Sequence, residues 1–529
     1  MKRIISLILF ILILSAGFSQ VPESSEEETI VLPALSTTIE SSGAEIDAEA
    51  IPDFSLILPE KTAVLPVIKD AVTTGDSFVP PAAKDEGKAG NDTFIEGRLG
   101  TGYPVFFSGD FSITGGSSQK PFSLGFSHET LSGYGLHSAS DGFNSSLTIL
   151  DGEKVFTPSE TVSVYASGLY KDSVNGLQGN SPLFYNLSYQ TVSGKASVAW
   201  KTSENMTLSG GSSVFLSNQF AGFTGAVPAG LTTSETSFIA SPEAELLYTG
   251  SGFGLSLLAG GDFGVNQKRF SFGFDVSVDC GGYMDLDVNA NVLFASQSSA
   301  STLFPFAVEL KTGANLPFAA ALSGGLRSSP ADLAQLQEKN PYCFTGIIPV
   351  EESEWFCDAA FSVPVKNLFD IAADINYAYT AFDGGRLIAG DTVDSVTGLL
   401  SADVQNVAVF DTKLRFVVPV SIWSLSCGWN ASWLDCLDAA APQALALEAS
   451  VLPASGLWGF TAAADLYFNG EVPLLGLTGF YRLSRDVRLE VEVSDMAKLF
   501  SGTDRIAAGP YKARGGYAAV FVKMYFGHQ

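Results

Sequence analysis

The sequence predicts an all-β fold, a transmembrane antiparallel up-and-down barrel of about 22 strands (range roughly 18–22). Three observations predict it. The 529 residues are 46% hydrophobic and only 16% charged, with mean hydropathy +0.23, whereas soluble proteins carry about 25% charged residues. After the N-terminus, every apolar run is broken by Gly, Ser, Asp or Asn within a few residues, so none is a helical membrane span. From about Thr93 onward, apolar and polar residues alternate in run after run, which gives each segment one oily and one wet side.

The chain opens with Lys2 and Arg3, then an apolar run from Ile4 to Leu14 broken only by Ser6. Small residues follow, with Gly17 and Ser19 at the −3 and −1 positions before Gln20. This three-part order predicts a secretory signal peptide over residues 1–19. No Cys follows the apolar run, so a lipoprotein anchor is not expected. Residues 20–92 form a second region. Between Val21 and Glu60 there are ten acidic residues and no basic one, and prolines recur at Pro22, Pro33, Pro52, Pro59, Pro66, Pro80 and Pro81. An acidic, Pro-punctuated stretch poor in aromatics predicts a largely disordered periplasmic segment.

The barrel is expected over residues 93–529. Phe270, Phe272, Phe274, Val276 and Val278 alternate with polar residues that include Asp275 and Asp279. Met284, Leu286, Val288, Ala290 and Val292 alternate with Asp285, Asp287, Asn289 and Asn291. Phe369, Ile371, Ala373, Ile375 and Tyr377 oppose Asp370 and Asp374, while Ala408, Phe410, Thr412, Leu414 and Phe416 oppose Asp411, Lys413 and Arg415. Val487, Leu489, Val491 and Val493 oppose Arg488, Glu490 and Glu492. These charged residues are the candidate lumen lining. Trp200, Tyr283, Trp355, Trp458 and Tyr525 sit near expected strand ends and suit interfacial girdles. Gln219–Ser237 and Ser328–Glu354 are expected as long surface loops, with helical character over Pro330–Lys339. A soluble β-sandwich shares the alternation, but so many strands with no helix exceed an ordinary sandwich.

The net charge of −27 and pI near 4.4 argue against a nucleic-acid partner. The five cysteines, Cys280, Cys343, Cys357, Cys427 and Cys436, are odd in number and irregularly spaced, so they form no disulfide framework. A loop bridge between Cys343 and Cys357 and scattered free thiols both remain open. Of three histidines, His528 is terminal, and His128 and His137 are read as loop or rim residues. No Walker loop, metal-ligand spacing or dinucleotide fingerprint occurs, so neither enzyme activity nor a cofactor is expected.

The last strand runs from Gly516 and Tyr517 through Phe521 to Tyr525 and Phe526. It looks like the β-signal that the outer-membrane assembly machinery reads, because a closing strand must leave no open edge in lipid. Before it come a penultimate strand, Val487–Ser494, a turn ending in Leu499-Phe500, and the elements Ala508-Gly509-Pro510-Tyr511 and Arg514-Gly515-Gly516. This ending resembles that of TonB-dependent receptors, whose barrels also have 22 strands. Near the mature N-terminus, Thr29-Ile30-Val31-Leu32, preceded by Glu28, is similar to a TonB box. The resemblance implies the outer membrane of a diderm bacterium, uptake of a small solute, and TonB or another periplasmic partner. The roughly sixty residues between Ala34 and Thr93 are too few for that family's plug domain, so a barrel without the usual plug is expected. The expected function is solute uptake or permeation; the rival is a structural or adhesive surface barrel. The excess of carboxylates on the wet faces favours cations or neutral solutes over anions.

Overall fold

The computed structural model describes residues 93–527, except 117–120, 135, 224–232, 265–267, 297–299, 314, 331–335, 338–339, 345–350, 366–367, 381–384, 435–442, 469–470 and 503. The expected signal peptide, the segment 20–92 with its TonB-box-like Thr29–Leu32, Cys436 and His528 lie outside the described residues.

Twenty-two antiparallel strands close into one barrel, as the alternation predicts. The first, Thr93–Tyr103, pairs with the second, Phe106–Gly115, on one side. On the other side it pairs with the last, Tyr517–Phe526, in register from Ile95↔Phe526 to Tyr103↔Ala518. No edge is left open, which is the condition for a sheet in lipid. A short extra strand, Ala300–Leu303, hangs on Met284–Ser296 outside the ring count.

The two ends of the barrel differ. At the end holding Thr93 and Phe526, successive strands are joined by tight turns, several of two residues, such as 160–161, 204–205 and 421–422. Ser421 takes φ +58° in one of them. At the other end lie the long connections 133–143, 331–350, 381–407 and 495–516. Strand lengths differ too. Phe184–Ser203 runs 20 residues, about twice the 9–11 residues that cross a bilayer, so this part of the wall stands well clear of any membrane at one end.

The register sorts side chains onto two faces. Phe270, Phe272, Phe274, Phe294, Leu322, Trp355, Ile375, Phe410, Val491 and Val520 all lie on one face and are exposed. The charges in barrel strands that fall on this parity are Lys154, Asp172, Lys268 and Glu351, each in the outer third of its strand. The outer face is thus an exposed oily belt with charge only near its margins, the pattern expected of a barrel wall that faces hydrocarbon. Of the expected girdle residues, Trp200, Tyr283, Trp355 and Trp458 are exposed near strand ends, whereas Tyr525 falls on the inner parity, beside Glu96 in register, and so is no part of an outer girdle.

Three local expectations change. Gln219–Phe223 and Ser234–Ser237 are strand, as are Ser328–Pro330 and Glu351–Glu354, so both expected loops lose their two ends to strands. Cross-strand pairing carries the alternating pattern further than the polar residues there suggested. Of the expected helical stretch, Leu336 and Gln337 are helical, whereas Pro330 ends a strand. No disulfide joins Cys343 and Cys357: Cys343 is buried among loops, and Cys357 is exposed on the outer face of Glu351–Val365.

Candidate functional site

The inner face carries the charge. Asp275 and Asp279 stand opposite Asn289 and Asp285. Asp374 stands opposite Lys413, and Asn376 opposite Asp411. Asp287, Asp370, Arg415, Arg488, Glu490 and Glu492 share this face in register. All twelve candidate lumen residues therefore lie opposite the oily belt. Lys413 and Asp374, adjacent in register, make no ion pair with each other.

These charges are unevenly distributed. Eight consecutive barrel strands, from Ser234–Gly250 to Phe369–Thr380, turn fourteen carboxylates inward: Glu235, Glu243, Glu245, Asp262, Asp275, Asp279, Asp285, Asp287, Glu309, Glu352, Glu354, Asp358, Asp370 and Asp374. Against them stand Arg269, Lys311 and Arg327. Lys311 reaches Glu309 at 2.7 Å and Asp287 at 3.5 Å. Arg327 holds Glu354 at 2.9 Å, and Arg269 holds Asp262 at 3.2 Å. Lys195, from Phe184–Ser203 two strands away, reaches across Met206–Phe223 to Glu243 at 2.8 Å. Asp275, Asp279, Asp285, Asp370 and Asp374 form no ion pair among the described residues.

The other fourteen strands are balanced. Their inner face holds Glu96, Asp110, Glu129, Asp151, Glu153, Asp411, Glu448, Asp465, Glu490 and Glu492 against Arg98, Lys171, Lys195, Lys201, Lys413, Arg415, Arg482, Arg488 and Lys523. At the closing seam the pairing is dense. Arg98 bonds Glu490 at 2.8 Å and Glu492 at 2.7 Å, and its guanidinium lies 3.5 Å over the Phe521 ring. Lys523 pairs with Glu96, Arg488 with Glu490, and Arg514 with Glu129.

The residues expected as a β-signal lie at this seam. Phe521 is buried on the inner face, edge-on to Phe106, and Tyr517 stacks on Phe106 at 4.0 Å. Phe526 points outward and is exposed, while the Tyr525 ring meets Lys523 on the inner parity. Gly516 precedes the strand. Gly100 must lack a side chain, since a Cβ there would fall 2.1 Å from the Phe521 ring.

Above the lumen, the long loops meet. The hairpin Arg386–Val393/Leu400–Gln405 springs from the fifteenth and sixteenth barrel strands, Phe369–Thr380 and Ala408–Val420. Its root is tied inward, with the Leu387 N–H donating to Glu352 at 2.8 Å and Arg386 3.4 Å from Glu354. Its tip touches the loop 177–183, between the fifth and sixth strands, where the Ser181 hydroxyl donates to the Thr397 carbonyl. Gly398, at φ +73°, comes so close that a Cβ would lie 2.5 Å from the Asn180 oxygen. These roots are ten places apart on a ring of 22, nearly opposite each other, so the hairpin crosses the mouth.

The terminal loop 495–516 locks it. The Tyr511 ring stacks on Tyr342 at 4.0 Å and 5°, and its hydroxyl donates to the Gly398 carbonyl at 2.6 Å. Gln178 donates to the Tyr342 hydroxyl at 2.8 Å and to the Lys512 carbonyl at 2.9 Å, and accepts from the Lys512 N–H at 2.8 Å. Gln219 donates to the Cys343 carbonyl at 2.7 Å. Around them Leu177, Phe184, Leu387, Leu399 and Leu400 are buried. A second contact ties in the loop 133–143: His137 Nε2 lies 3.0 Å from Asp504 and 3.1 Å from Lys512 Nζ, and Lys512 pairs with Asp504. Lys498, 1% exposed, donates to the Ala513 carbonyl; burial pushes its ammonium down to about 8. Burial also pushes the Tyr511 phenol up to about 12 and Tyr342 higher still. Lys512 and His137 hold Asp504 below the usual carboxylate range, against the effect of burial.

No family model and no curated protein matches the sequence. Among solved structures, the copper transporter OprC matches with TM-score 0.59 at 10% identity, over 83% of this chain and 84% of that one. The FrpB iron transporter from Neisseria meningitidis matches with TM-score 0.59 at 8% identity, over 83% and 82%. The siderophore receptor PiuA from Acinetobacter baumannii matches with TM-score 0.55 at 10% identity, over 83% and 82%. These neighbours are TonB-dependent receptors. At this identity the likeness is one of fold.

Sequence reasoning missed the mouth. Tyr511 was visible only as part of a terminal motif, and Tyr342, Gln178 and Lys498 gave no signal. Lys498 bonds Ala513, 15 residues on, but the partners of the other three are 113 to 334 residues away, and no local periodicity encodes that. His137 sits in a loop as expected. His128 instead lies within the strand Phe122–Ser132 on the outer parity, 2.8 Å from the Thr148 hydroxyl. Its neighbours Ser127 and Glu129 face inward.

Proposed function

We propose that this chain is an outer-membrane uptake barrel that passes cationic or neutral solutes along the acidic wall and is closed at its mouth by its own loops. The observation that carries the proposal is the pairing of an uncompensated acidic wall with a hairpin that spans the mouth. A wall lined with excess carboxylates raises the local concentration of cations and lowers that of anions. The low net charge on the remaining strands leaves this field unopposed. The fold shared with a copper transporter, an iron transporter and a siderophore receptor supports uptake as the role. In this reading the outer belt meets outer-membrane lipid, the last strand is read by the assembly machinery, and TonB or another periplasmic partner engages the N-terminal segment.

The test is planar-bilayer conductance of the refolded protein under a salt gradient. The wild type is expected to conduct little, and a Tyr342→Ala/Tyr511→Ala variant to open a pore whose reversal potential shows cation preference. Anion preference in the open variant would reject the proposal. If deleting residues 21–90 opens the wild type while the loop variant stays shut, the N-terminal segment and not the loop cap is the barrier. A surface-adhesion role has one observation in its favour: Leu136, Phe500 and Ile506 are 84%, 73% and 73% exposed on the mouth loops. Liposome swelling separates the two, since an adhesin with an incidental lumen passes no sugar even when its loops are loosened.

A further inference from the structure

The outer belt is not uniformly bulky. On the strands Ala408–Val420, Trp423–Leu434, Ala444–Val451, Trp458–Tyr467 and Leu474–Arg482, two rows of outward side chains run side by side in register. One row reads Phe416, Cys427, Leu447, Ala464, Leu475. The next reads Val418, Leu425, Ala449, Ala462, Leu477. Small side chains at Ala449 and Ala462 sink the middle of the second row, and Cys427 and Ala464 leave gaps on either side of Leu447 in the first, while the large residues at the row ends stand up. The result is an apolar groove of about 630 Å³. The register row on one side of it contains Trp429 and the row on the other contains Trp423 and Phe460.

One end of the groove is closed by something that is not a strand. Met496 lines it, from the short helix Met496–Ser501, which packs against Leu474–Arg482. Lys498 and Leu499 are the buried residues of that helix, whereas Phe500, four residues after Met496 and so on the same side, is 73% exposed. The helix thus turns Met496 and Phe500 outward and carries the apolar surface past the end of the strands.

We propose that this groove binds the acyl chain of a membrane lipid. The inference rests on the membrane-barrel reading given above. What covers the groove follows from where it lies. It is a notch in the face that lacks charges except near strand margins, so in a bilayer the medium beside it is hydrocarbon. There is no hydrophobic drive between hydrocarbon and an oily wall, so retention depends on shape and van der Waals contact. A void in a packed apolar surface forfeits such contacts on every side. A flexible chain lying across five strands and under Met496 restores them. Glu448 is the one charged residue among those lining the groove, and its register puts it on the inner parity, so the outward floor and walls offer a headgroup no charge and the site selects a tail.

Two outward thiols make the test internal to the wild-type protein. Cys427 is in the groove, and Cys357 is on the open belt of Glu351–Val365; both are exposed. In nanodiscs of a defined phospholipid, Cys427 is expected to react with a lipid-soluble maleimide at least about fivefold more slowly than Cys357. Delipidation in short-chain detergent should bring the rates together. Equal rates in nanodiscs would overturn the proposal. Native mass spectrometry of protein extracted in mild detergent supplies the second measurement. One retained lipid is expected on the wild type and on the belt control Ala290→Leu, and none on Ala449→Leu/Ala462→Leu, with folding of each checked by heat-modifiable gel migration. A lipid retained by the filled variant, or a protein chain in place of lipid on the wild type, would also overturn it. Unequal thiol rates failing together with detergent-independent solubility would instead remove the membrane reading itself.

Discussion

The two walls of this barrel are built of the same alternating strands but treat charge differently. On the seam side, Arg98 alone engages Glu490, Glu492 and the Phe521 ring, with Asp110 3.6 Å away. Charge there is matched and serves closure. On the eight strands from Ser234 to Thr380, fourteen inward carboxylates face three inward basic side chains, and Asp275, Asp285, Asp370 and Asp374 go unpaired among the described residues. Burying like charges without partners is costly, so such a wall persists only where water or a solute reaches it. Matched charge suits a wall that holds the ring closed, and excess charge suits one that stays in contact with water.

The largest effect should come from removing the barrier that hides this difference. Tyr511→Ala deletes a stacked ring, a hydroxyl bond to Gly398 and a wholly buried side chain. Loss of a buried aromatic costs about 3–5 kcal/mol. With that lock gone, the cap should spend much of its time open. Bilayer conductance should rise by about tenfold or more, and Cys343, now fully buried, should become reactive in a variant whose other cysteines are serine. An unchanged conductance with a reactive Cys343 would place the block elsewhere.

Next in size is damage to the seam. Arg98→Met leaves Glu490, which is 11% exposed, short of one of its two cations. Breaking a partly buried pair in this way costs about 3–5 kcal/mol at the upper end. Slower refolding and a lower midpoint in a urea titration are expected, with ion selectivity unaltered. The acidic wall should show the reverse. Asp275→Asn/Asp285→Asn/Asp287→Asn should leave the unfolding midpoint nearly in place and lower the cation-to-anion permeability ratio of the opened barrel several-fold. If the two sets of variants behave alike, the walls do not differ in role.

The barrel and its inward charges were legible because both follow from a period of two. Asp275, Asp285, Asp374 and Glu490 could each be placed on a wet face from their immediate neighbours. The asymmetry between walls was half visible. Glu243, Glu245, Glu309 and Asp358 sit in strands whose inward small residues, such as Ser241, Ala307 and Ala360, blur the alternation, so their shared face emerges only from cross-strand register. The cap was not legible, because its contacts join turns that are distant along the chain and nearly opposite around the ring. The same holds for the groove, where Cys427, Ala449 and Ala462 mean nothing singly and become a floor only when three strands are laid side by side.

The smallest effect concerns the cap's response to pH. Lys498 is buried, and its ammonium falls from 10.5 to about 8. Below pH 8 both the closed and the open cap hold that proton, and the closed form bears the full desolvation cost. Between 8 and 10.5 the open form is protonated and the closed form is neutral, so the open form binds more protons and closure strengthens as pH rises. A shift of this size corresponds to about 3 kcal/mol at most. The phenols act in the opposite sense. Tyr511, Tyr342 and Tyr134 are held protonated by burial above the ordinary value of 10.0, so in the open form they ionise first and closure weakens above pH 10. Closure should therefore be tightest near pH 9.5–10, read as a minimum in open probability across a pH series. Lys498→Met should flatten the limb below pH 10 and leave the limb above it. A minimum that survives this substitution would mean that another group sets the response.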